Sequence, residues 1–94
     1  MLTYRAMFKQ VEGGVHAEVL DFPGAMSFGE DLDSARRMLA SALVDMAETN
    51  LLRGEPLPTP DPSATDPEAD LEEPIHLVLN ATSRVNFVPQ QSVP

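Results

Sequence analysis

"DFPGAMSFGEDLDSARRMLASALVDMAE", residues 21–48, sets out most of the architecture in one stretch. Pro23 fixes its own φ and Gly24 tolerates the left-handed region, so residues 21–24 form a tight turn. Residues 25–29 are long enough for only a short edge strand. Asp31 then offers a carboxylate to the free N–H groups of a helix start, and Asp33 sits near the positive end of the helix dipole. Leu32, Ala35, Leu39, Ala42, Leu43, Met46 and Ala47 recur at spacings of three and four, while Arg36, Arg37, Ser41 and Asp45 fall elsewhere. That is one apolar stripe, and Gly54 with Pro56 ends it by residues 50–53. A single stripe covers a single sheet face, which predicts a two-layer α+β unit.

Upstream, residues 2–10 place Leu2, Tyr4, Ala6 and Phe8 on one side of a strand and Thr3, Arg5, Met7 and Lys9 on the other. Gly13 and Gly14 reverse the chain. Residues 15–20 then put Val15, Ala17 and Val19 opposite His16, Glu18 and Leu20. With residues 25–29 this makes a three-stranded antiparallel meander.

Downstream, residues 54–74 carry Pro56, Pro58, Pro60, Pro62, Pro67 and Pro74, together with Glu55, Asp61, Asp66, Glu68, Asp70, Glu72 and Glu73, and neither Lys nor Arg. This reads as an extended acidic linker. Two readings of its length stand open: a solvated loop with slack, or an arm that carries the last strand to another subunit. A fourth strand is expected within residues 75–88, where Ile75, Leu77 and Leu79 alternate. Because it follows a helix, it is expected to pair parallel to the first strand. The organisation is then a β-β-β-α core at 1–53, a linker at 54–74, a completing strand at 75–88 and a tail at 89–94.

The chain has 94 residues, six basic against 15 acidic, for a formal charge of −9. That sign opposes binding to a phosphate backbone and suits a basic partner. No cysteine is present, so disulfides, thiol nucleophiles and thiolate metal sites are excluded. No apolar run approaches the ~20 residues of a membrane span. The start, "MLTYRAMFKQ", has no export signal, and a cytoplasmic location is expected.

Catalytic chemistry finds no foothold. His16 and His76 sit on strands without a third metal ligand. Ser27, Ser34 and Ser41 lack a glycine-flanked elbow and a nearby His. The first strand carries no acid, and Asp21, Glu30, Asp31 and Asp33 sit at turns and a helix start, where capping explains them. "EGGV" is too short to cradle a phosphate. A non-enzymatic protein without metal or cofactor is expected. What remains is the sheet face turned away from the helix, where Met7, Leu20, Met26, Phe28 and Val78 fall with His16. These form the candidate partner or oligomer face, since an uncovered apolar patch marks a contact surface.

The ordered set of Asp21, Pro23, Gly24, Ser27, Gly29, Asp31, Leu32 and Ala35, followed after the helix by Gly54, Glu55, Leu57, Pro58 and Pro60, resembles the HicB antitoxins of toxin–antitoxin pairs over residues 2–60. The resemblance implies a partial ribonuclease H-like fold, β-β-β-α-β, without nuclease activity. It gives Pro23, Gly24, Gly29 and Asp31 structural turn and cap roles. It implies a small basic ribonuclease toxin as partner, masked by steric and electrostatic coverage, and a homo-oligomer. The family's C-terminal DNA-binding module has no counterpart in the short, cation-poor stretch after Asn80, so no DNA binding is expected. The alternative is a solo structural or regulatory oligomeric module without a toxin.

Overall fold

The computed structural model describes residues 1–79. Strands β1 (Leu2–Val11), β2 (Gly14–Val19) and β3 (Met26–Gly29) precede helix α1 (Leu32–Leu52), and β4 (Leu71–Leu77) follows it. The sheet order is β3-β2-β1-β4, with every neighbouring pair antiparallel. The helix lies on one sheet face, so the α+β two-layer expectation holds.

The helix begins as its sequence dictates. Asp31 is extended at φ −142° and ψ 177°, and its carboxylate accepts the Ser34 N–H at 2.8 Å. The Ser34 hydroxyl accepts the Asp31 N–H at 3.2 Å, which closes a reciprocal capping box. Gly29 allows this helix start to sit against the sheet, because a Cβ there would collide with the backbone of Ala35. At the other end Gly54 takes φ 72°, donating to Leu51 O while Glu55 donates to Asn50 O at 2.8 Å, so the last carbonyls are satisfied.

Tyr4, Ala6, Phe8, Ala17 and Val19 from the sheet meet Ala35, Leu39, Leu43 and Ala47 from α1. Leu39 and Leu43 are at most 1 % exposed, so truncating either to Ala costs about 2–5 kcal/mol. The turn after β2 joins this core too: Phe22 and Ala25 are buried, and the Phe22 ring meets Tyr4 edge-on at 5.3 Å. On the helix side of β4, Glu73 takes two bonds from Arg36, at 2.9 and 2.8 Å, and the Arg36 guanidinium lies 5.9 Å from the centre of the Phe8 ring.

The fourth strand corrects the sequence reading in direction and in start. It pairs antiparallel to β1, not parallel, with Leu2 opposite Leu77 and Phe8 opposite Leu71. It begins at Leu71, inside the stretch read as linker; the part of the expected strand from residue 80 on, and the tail, lie outside the described residues. The cause of the reversal is the path of residues 53–70. They leave α1 beside the start of β1, where the Tyr4 hydroxyl donates to Pro58 O at 2.7 Å. They then run the length of β1 to its far end, where Asp70 N–H donates to Phe8 O at 2.9 Å. A strand entered from that end must descend against β1.

Pro74 is accommodated because β4 is an edge. The N–H and C=O of Arg5, its partner in register, both point to the other side, to Asp21 and Leu20. The Arg5–Pro74 pair is therefore a non-hydrogen-bonded one, and the missing N–H of the proline faces the open edge.

Candidate binding face

On the sheet face away from α1, alternation and register build a grid of side chains. Phe28, His16 and Lys9 form one row, and Met26, Glu18, Met7 and Glu72 the next. Leu20 and Arg5 follow, with Pro74 beyond them, and then Thr3 opposite His76.

While Thr3, Pro74 and His76 stay exposed, the connection itself crosses the β1–β4 half of this grid at the Met7–Glu72 row. Glu72 is its anchor: one carboxylate oxygen accepts the Asp66 N–H at 3.0 Å and the Thr65 hydroxyl at 2.8 Å, and the other accepts Arg5 Nε at 3.0 Å. These contacts, led by the Asp66 amide, hold the Glu72 carboxyl down to about 2. Lys9 Nζ donates to Glu68 at 2.8 Å, and the bond and the charge of that carboxylate push the lysine up. Where the connection rounds the end of the sheet, the two oxygens of Asp21 accept Arg5 N–H and Asp61 N–H, each at 2.8 Å. Residues 65–68 thus pass between Glu72 and Lys9, over Met7.

Met7 is consequently only 3 % exposed, which corrects its place in the candidate face. A long polar connection does the covering that a second helix would do elsewhere. The β2–β3 half has no such cover: Met26 and Phe28 are half exposed, and Leu20 and His16 are part-buried beside them. The Phe28 ring lies over Gly14, where a Cβ would collide with it. His16 Nε2 stands 3.3 Å from Glu18. Val78 is 66 % exposed but follows β4 at the opposite edge of the sheet, so it does not join Met26 and Phe28.

The turn and cap residues sit where the sequence placed them: Pro23 and Gly24 in the turn after β2, with Gly24 at φ 92°, Gly29 against the helix start and Asp31 as N-cap. His16 and His76 do not meet; His76 Nδ1 pairs with the Thr3 hydroxyl at 2.9 Å. Among the described residues no cluster of three metal-ligating side chains occurs, and no helix is long and apolar enough to cross a membrane. Sequence reasoning missed the anchoring acids Asp21, Glu68 and Glu72. The available signal was charge complementarity, since Arg5 and Lys9 share the outer face with Met7 and the connection brings only acids.

No protein-family model matches this sequence, and no curated protein matches it. Solved structures do. The N-terminal domain of antitoxin HicB from Burkholderia pseudomallei matches at TM-score 0.67 and 24 % identity, over 83 % of this chain and 100 % of that domain. A chain of the HicA3–HicB3 toxin–antitoxin complex matches at 0.63 and 17 %, over 80 % and 96 %. The longer B. pseudomallei HicB antitoxin matches at 0.61 and 18 %, over 96 % of this chain and 84 % of that one. The fold built here, a meander with one helix and an antiparallel fourth strand, is that of the HicB antitoxin N-terminal domain.

Proposed function

We propose that this protein is a HicB-like antitoxin, acting in the cytoplasm without enzymatic activity, that binds and masks a small basic ribonuclease toxin. The observation that carries the reading is the likeness of fold to a HicB domain and to a chain of a HicA3–HicB3 complex. The formal charge of −9 supports a basic partner through electrostatic complementarity. The β2–β3 half of the outer face, with Leu20, Met26, Phe28 and His16, is the surface we assign to the partner or to a second copy of the chain. Coverage there would combine the apolar Leu20, Met26 and Phe28 with the Glu18 carboxylate between Met26 and Met7, which suits steric masking of a cationic surface.

The test is a search for a small basic reading frame next to this one and co-expression of its product with this chain. Co-purification at moderate salt, and rescue of growth from the toxicity of that protein, are the expected results. Failure of both with a toxin shown to be active overturns the reading in favour of a solo oligomeric module.

A further inference from the structure

The connection that covers Met7 is attached in an unusual way for a covering layer. No residue between Pro58 and Asp70 is buried, and none of them joins the apolar core or packs against it; the core contacts stop at Leu57 and resume at Leu71. Its outer-face attachments are polar: Asp61 N–H on Asp21, Thr65 and Asp66 on Glu72, and Glu68 on Lys9. Glu68 is 75 % exposed and Lys9 37 % exposed, so water and ions reach that pair directly. The Glu72 end is tighter, with that side chain 15 % exposed and the Asp66 bond part-buried, but a segment held by polar bonds and by contact with one methionine opens at lower free energy than the core of the fold.

We propose that residues 61–68 form a releasable acidic strap, which cationic side chains lift from the outer face to uncover Met7. The charged and titratable groups beneath and beside the strap are Arg5, Lys9, Glu72, Asp21, Glu18 and His16. A lysine or arginine from outside competes with Lys9 for Glu68, exchanging one ion pair for another, and with the Thr65 hydroxyl and Asp66 N–H for Glu72. Lifting leaves β4 paired, because the ladder from Leu2–Leu77 to Phe8–Leu71 does not use the strap. It places Met7 in solvent one strand from Glu18 and two from Met26, so the half-exposed apolar area of β2 and β3 extends across β1. A basic contact thereby enlarges the apolar contact surface next to it. The device belongs to the isolated chain and does not rest on the antitoxin reading.

Methionine oxidation reads it directly. The full-length protein is exposed to dilute peroxide and sulfoxide is followed at each methionine by peptide mass spectrometry, with half-exposed Met26 and Met38 as internal references. Met7 is expected to oxidise at least about tenfold more slowly than Met26. Hexalysine at constant ionic strength raises the Met7 rate several-fold toward that of Met26 and leaves the references unchanged. The double variant Glu68→Gln, Glu72→Gln shows the raised rate without hexalysine and responds little to it. Exchange of the Leu20 amide, bonded to Arg5 O, stays slow throughout. The proposal is overturned if Met7 stays protected with hexalysine and in the variant, or if it becomes reactive only when the Leu20 amide loses protection as well.

Discussion

Asp21→Ala is the substitution that most directly tests how the connection is tied to the sheet. Its two carboxylate oxygens serve two backbone donors, Arg5 N–H and Asp61 N–H, each at 2.8 Å. The first bond is part-buried, and its loss leaves a strand N–H without an acceptor at about 1.5–3 kcal/mol, the range for hydrogen bonds to charged groups. The second is exposed, so water replaces most of it and the loss is about 0.5–1 kcal/mol. The sum, about 2–4 kcal/mol, matches the cost of truncating a core leucine, although the side chain itself is only half-buried. Asp21→Asn keeps one acceptor and presents an amide donor to the other N–H, so it falls between wild type and Ala. Urea unfolding followed by far-UV circular dichroism measures both, with an unchanged m-value showing that the cooperative unit is the same. A loss below about 0.5 kcal/mol for Asp21→Ala would refute the reasoning, because it would mean that water satisfies Arg5 N–H as well as the carboxylate does.

Gly29→Ala forces a Cβ into the backbone of Ala35 and is expected to lower stability by about 1–3 kcal/mol in the same assay, where a neutral result would show that the helix start shifts freely. Glu72 has a folded pKa of about 2, below its ordinary value of 4.5, so its contribution to stability is complete above pH 4.5 and is lost as pH falls toward 2. Acid titration of unfolding free energy should therefore slope in that window, and Glu72→Gln should flatten the slope; an identical profile for the variant sinks the assignment. Met26→Lys adds a positive charge to a half-exposed position on the uncovered half of the outer face. It should leave the melting temperature within a few degrees while weakening binding of the proposed basic partner or self-association, measured by light scattering and pull-down; intact association would move the contact surface elsewhere.

The residues that were legible in the sequence are those governed by their neighbours in the chain. Asp31, Leu32 and the stripe through Ala47 specify where α1 starts and which side it buries, and the alternation of β1 and β2 specifies the two faces. Pro74 misled in the opposite way. In isolation it reads as the end of a linker, yet it is admissible inside β4 because its register partner turns both backbone groups toward β2. That condition depends on which strand lies next to which, and no local pattern contains it. Met7 departs for a related reason: its parity is right, but a sheet face without a helix is not thereby open. The proline and carboxylate content of residues 61–68 disguises a covering layer, since covering by polar contacts leaves no apolar periodicity to find.

The covering of Met7 also bears on which surfaces are left for association. A sheet of this order has two edges, β3 and β4. The β4 edge carries Pro74, whose missing donor interrupts any ladder an incoming strand would build there. On one side Glu72 anchors the strap; on the other, Glu73 is tied down by Arg36. The β3 edge has neither device: Met26 and Phe28 stand half exposed on it, and Ser27 between them has a buried hydroxyl with no hydrogen-bond partner. Half-exposed apolar side chains and an open strand edge therefore coincide at β3, at the far side of the sheet from the protected edge. Strand addition at β3 and contact through the apolar half-face would share this corner, so on the proposed reading a partner and a second copy would compete for it.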